Sequence, residues 1–139
     1  MTSLENACIK ELQSAGVGFV RDADGALRIP ARFPEVGDLV VAFDDGEITV
    51  YVGDLTHCHF TPETSDQGSL QAQVDAAAVE AVEFVANVVT DKYVIWRYLS
   101  GGGGCYPLSF ENSPMADTPI GDDAQCYLWS RPYVRGSAA

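Results

Sequence analysis

The sequence predicts an α+β fold: a mainly antiparallel sheet of about six strands, packed by one long helix and a short N-terminal one. Three observations predict it. Apolar residues recur at helical spacing in two separate stretches, about residues 2–15 and about residues 69–90. Between and after them lie short runs rich in Val, Ile, Tyr and Trp, as strands favour. Asp-Gly steps then separate neighbouring runs at the spacing of a tight hairpin. Helices and strands are segregated rather than alternating, which favours antiparallel pairing over βαβ units.

The first helix follows from Thr2-Ser3-Leu4-Glu5, which fits a capping box. Leu4, Cys8, Leu12 and Ala15 form its apolar face, and Gly16 and Gly18 end it. Val17–Arg21 and Ala26–Ile29 flank Asp22-Ala23-Asp24-Gly25, a hairpin signal. Asp38–Phe43 and Glu47–Gly53 flank a second one, Asp44-Asp45-Gly46. In the latter strand Ile48, Val50 and Val52 alternate with Thr49 and Tyr51, the period of a half-buried strand. The chain is expected to run on, extended, through Leu55–Phe60, with a bulge or bend at Gly53. Residues 61–68 read as a polar loop.

The long helix is the clearest element. Val74, Ala78, Ala81, Val85 and Val88 fall three and four apart, and Ala77 and Phe84 widen the stripe. Asp75, Glu80, Glu83 and Asn87 take the other side. Tyr93–Leu99 then reads as a strand, with Cys105–Phe110 as its partner across Gly101–Gly104. Residues 111–124 read as an exposed loop and Gln125–Arg131 as a last strand before Pro132. The final residues, 136–139, suit a frayed end. With 139 residues and no linker, residues 1–139 are expected to form one domain.

Charge excludes several functions. Twenty Asp and Glu against eight Lys and Arg give a net charge of −12. Phosphate contacts need a basic surface, so nucleic acid is not an expected partner, and anionic lipid is not either. No apolar run reaches the length of a membrane span. The start, Met-Thr-Ser-Leu-Glu-Asn, lacks the basic region and apolar core of a signal peptide, which points to the cytoplasm. Cys8, Cys58, Cys105 and Cys126 form no Cys-x-x-Cys pair and read as four reduced, buried thiols.

Four features could carry chemistry. His57-Cys58-His59 projects both histidines of the chain from one strand face, where they could share zinc or another divalent metal. A third ligand would have to come from Glu63, Asp54 or a distant side chain, and no motif points to one. Gly101–Gly104 lacks the Lys-Ser or Lys-Thr of a P-loop and has no nucleophile elbow beside it, so it reads as a flexible hairpin connection. The Asp and Glu clusters match no calcium loop and serve turns and solubility, while their field attracts basic partners. The aromatic set of Tyr93, Trp96, Tyr98, Tyr106, Phe110, Tyr127, Trp129 and Tyr133 places Trp96 and Tyr98 on one strand face. Tyr127 and Trp129 share that spacing, and the two strands could pair aromatics across the sheet.

These features converge on a non-enzymatic binding module. Its expected surface takes in Tyr51, His57, His59, Trp96, Tyr98, Trp129, Asp44 and Asp45, and it needs no cofactor. In size, charge and element order the chain resembles small bacterial immunity proteins. That resemblance implies a basic protein partner, such as a nuclease-type toxin whose nucleic acid the acidic surface imitates. The alternative is a small metal-dependent enzyme or metal-binding protein centred on His57 and His59. A second alternative is a structural domain that forms a homodimer through a sheet edge.

Overall fold

Thr2 opens the first helix, α1 (Ser3–Ser14), by accepting the Glu5 N–H at 3.2 Å. The capping box is half formed. The Glu5 carboxylate turns away from the cap and meets Arg21 at 2.9 Å. The structure, a computed structural model, describes residues 2–62, 69–110 and 123–133. Leu4, Ala7, Cys8 and Leu12 form the buried face of α1. The long helix, α2 (Leu70–Val89), starts at Ser69, whose Oγ accepts the Ala72 N–H at 3.2 Å. All seven residues of its predicted apolar stripe are buried, together with Val82. It stops at Asp91, which takes a left-handed φ of 62°. The Asp91 carboxylate then accepts both the N–H and the hydroxyl of Ser130, tying the helix end to the far end of the chain.

The fold is α+β with antiparallel sheets, and among the described residues eight strands divide between two of them. The first is a meander of β1 (Val20–Arg21), β2 (Leu27–Ile29), β3 (Leu39–Asp44), β4 (Glu47–Val52) and β5 (Thr56–Phe60). The second has β6 (Tyr93–Tyr98) between β7 (Gly103–Pro107) and β8 (Ala124–Tyr127). The Asp45-Gly46 turn joins β3 to β4 with φ of 53° and 75°, the backbone that a two-residue hairpin loop requires.

The run expected to stay extended through Leu55–Phe60 does so over β5, and the bend expected at Gly53 is tight enough to fold β5 back on β4 as a hairpin. Gly53 makes the turn at φ 51°, and a Cβ there would lie 1.9 Å from the Val36 carbonyl oxygen. Only glycine fits that approach. Other boundaries shift for local reasons. β1 keeps two residues, and Leu108–Phe110 forms a 3-10 turn rather than strand. β8 ends at Tyr127, because Leu128 N–H turns to the Arg131 carbonyl at 2.8 Å. The loop expected at 111–124, most of the polar loop at 61–68 and the terminal residues 136–139 fall largely or wholly outside the described residues.

Both helices contribute to one core with the inner faces of the sheets. Leu27, Leu39, Ile48, Val50 and Val52 of the first sheet meet Cys8, Leu12, Ala78 and Val85 of the helices. Ile95, Tyr127 and Trp129 join from the second sheet side. Full burial of each Leu, Ile or Val among them stabilises the fold by roughly 1.5–3 kcal/mol. Phe84 of α2 marks the junction, with its ring 5.9 Å from Phe60 of β5 and 5.2 Å from Tyr93 of β6. A smaller cluster of Val94, Tyr106 and Leu128 covers the other face of the second sheet, against Trp96 and Tyr133. Among the described residues, no helix is long and apolar enough to cross a membrane.

Candidate functional site

The β4–β5 hairpin decides the arrangement of the histidines. Tyr51 pairs with His57 and Thr49 with His59, so these four side chains share the outer sheet face. Val50 pairs with Cys58 and Ile48 with Phe60 on the inner face. The result is a row of rings. Tyr51 and His57 have centroids 5.6 Å apart, and His57 meets His59 edge-on at 4.9 Å. Tyr51, His57 and His59 are all exposed.

His59 anchors the row. Its Nδ1 lies 2.9 Å from Glu47 Oε1 and 3.1 Å from Thr49 Oγ1. The other carboxylate oxygen, Oε2, accepts from the Thr61 hydroxyl at 3.1 Å. An ionised Glu47 can only accept, which assigns the proton to His59 Nδ1. In the neutral ring Nε2 is then the acceptor.

Two clefts flank Tyr51. One, of about 600 Å3, runs between Tyr51 and His57 on one side and Gly102 and Gly103 on the other. The second, of about 460 Å3, extends from Tyr51 towards Arg28 and Arg97. Among the described residues, the carboxylates of Glu35, Asp38 and Asp54 line this second cleft. Arg28 is already committed. It bonds Asp22 and Asp38, at 2.9 and 3.0 Å, and those two partners, Asp22 first, raise its pKa. Asp38 is held below the usual carboxylate range by the Ala31 N–H first, then by Arg28. Arg28 is thus neutralised by Asp22 and Asp38, while Arg97 donates to the neutral Gln125 at 3.3 Å, so this cleft sets two cations against three carboxylates.

The glycine run has a structural role that its sequence hides. Gly101 and Gly102 make the turn with positive φ, while Gly103 and Gly104 lie in β7. A Cβ on Gly103 would come within 2.2 Å of the Leu55 carbonyl oxygen, and one on Gly104 within 2.7 Å of the Trp96 ring. Gly103 thereby lets the edges of the two sheets meet. Gly104 leaves a flat seat for the indole of its cross-strand partner. Gly101 and Gly102 thus form the expected hairpin connection, while Gly103 and Gly104 are strand residues in fitted contacts.

Not every expected surface residue joins this face. Trp129 is 1% exposed and belongs to the core, so it cannot meet a partner. Tyr127 is buried as well and pairs with Ile95, so no aromatic pairing crosses β6 and β8. Trp96 and Tyr98 do share one face, with rings 5.2 Å apart. They alternate with Arg97, which lines the second Tyr51 cleft, so they leave the opposite side of the sheet. Asp44 and Asp45 are exposed at the β3–β4 turn, at the Glu47 end of the ring row. Glu63 lies outside the described residues. Among the described residues, no group of three or more His, Cys, Asp and Glu side chains converges as a metal centre would require.

One pairing escaped the sequence. The Cys105 thiol donates a hydrogen bond to Cys58, which lowers the Cys58 pKa to about 7, with help from His59 and against the effect of burial. The same contact and burial push Cys105 upward. The inward parity of Cys58 was readable, but nothing in the sequence brings β5 against β7.

This geometry defines an α+β protein with an exposed aromatic and histidine row flanked by two clefts. No known family model matches the chain, and no match emerges among curated proteins or solved structures.

Proposed function

We propose that the chain is a binding module that holds a basic protein partner on the outer face of β4 and β5. One observation carries this reading: the exposed row Tyr51–His57–His59 ends on Glu47 and borders clefts lined by Glu35, Asp38 and Asp54. Exposed Tyr beside acid suits a binding hot spot, since a rigid ring supplies contact area at low entropic cost. When its ring is neutral, His59 Nε2 offers an acceptor to an Arg or Lys donor. The net charge of −12 would speed the encounter with such a partner. A basic toxin of the nuclease type is the partner class that the immunity-type resemblance implies, and inhibition or sequestration is the consequence.

The test is a comparison of captures from host lysate at low salt, using the whole chain and its Tyr51→Ala/His57→Ala variant. A stoichiometric basic protein held by the first and lost by the second supports the reading. Its association rate should fall as salt rises. A basic protein retained equally by the variant, or association indifferent to salt, would overturn it.

A further inference from the structure

Cys58 and Cys105 come from different sheets, and the junction of those sheets brings them together. There the approach is backbone on backbone: Gly103 of β7 lies so close to the Leu55 carbonyl that a Cβ would not fit. Farther along each strand, the two thiols are hydrogen-bonded to each other. Their cross-strand partners, Val50 and Ile95, are both core residues, so the two sulfurs reach the junction from the same inner side. Tyr93, packed against Phe84, lies near both cysteines. Both cysteines keep partial exposure, whereas Cys8 is fully buried in α1.

We propose that Cys58 and Cys105 are a redox modification site, a thiol pair that a peroxide converts into a disulfide joining the two sheets. The Cys58 sulfur attacks one peroxide oxygen. An S–O bond forms, the O–O bond breaks, and one water leaves with the thiol proton. The Cys105 sulfur then attacks the Cys58 sulfenic acid. The S–S bond forms, the S–O bond breaks, and a second water leaves. Two thiols lose two electrons in all, and one peroxide is reduced to two waters. The bond would tie β5, which carries His57 and His59, to β7, which carries Gly103 of the facing cleft wall. The chemistry does not depend on the binding reading above.

The experiment uses the full chain, reduced, freed of reductant and given hydrogen peroxide, followed by peptide mapping without reduction. The expected product is one cross-linked pair containing Cys58 and Cys105, reopened by dithiothreitol. In Cys105→Ser, Cys58 should instead stop at the sulfenic acid and be trapped by dimedone. A main product that links Cys126 to either residue would overturn the proposal. So would a Cys58–Cys105 pair that stays reduced while other residues oxidise. The mapping on the unaltered chain decides the matter even if the variant fails to fold.

Discussion

The His59 ring is held by Glu47 of the neighbouring strand, Nδ1 to Oε1 at 2.9 Å, with His57 edge-on beside it. Both histidines are exposed. Replacing Tyr51, His57 or His59 with Ala should change stability by no more than about 1 kcal/mol, as for exposed pairs on a sheet. Trp129→Ala should cost about 3–5 kcal/mol, because its indole fills the core. Urea unfolding of the four variants checks both. A large loss at Tyr51 or His57 would make the ring row structural.

The glycines separate two kinds of requirement. At Gly53 an added Cβ strikes the Val36 carbonyl oxygen and φ is positive, so Gly53→Ala should cost about 3 kcal/mol or more. At Gly102 φ is 84° but the space is open, so Gly102→Ala should cost only about 1–2 kcal/mol. Gly103→Ala should resemble the first, since it would part the two sheets. Equal losses at Gly102 and Gly103 would contradict the sheet contact.

Cys8 makes stability fall in alkali. Burial first, and then Glu11, raises its pKa from 9.0 to about 12 in the folded chain. A folded-state value above the unfolded one means that the contribution is whole below about pH 9 and is lost as pH rises towards 12. Urea midpoints should therefore drop between about pH 9 and about pH 12, and Cys8→Ala should flatten that drop. An unchanged slope would remove Cys8 as the cause.

Cys58 should behave in the opposite way towards alkylating agents. Its thiolate forms near pH 7 because Cys105 donates to it. The rate of iodoacetamide labelling at Cys58, followed by mass spectrometry, should be half-maximal near that pH. In Cys105→Ala the midpoint should move back towards 9.0, the ordinary thiol value. A midpoint that stays put would show that the Cys105 contact is not responsible.

The sequence by itself determined the α+β class, both helices and the two Asp-Gly hairpins. These are set by local physics: a cap at Thr2 or Ser69, a 3.6-residue apolar stripe in α2, positive φ at Asp45 and Gly46. It also determined which side chains share a strand face, because His57 and His59 lie two apart. Tertiary structure decided the rest. A bend at Gly53 was legible, but not that it is tight enough, against the Val36 carbonyl of another segment, to return β5 along β4. Trp129 alternates like an exposed strand residue, yet the core claims it. Strand spacing fixes parity but not which face is covered. The contacts of Gly103 with Leu55 and of Cys58 with Cys105 join residues almost fifty apart, and no local signal specifies them, since they exist only once both sheets have closed on the same core.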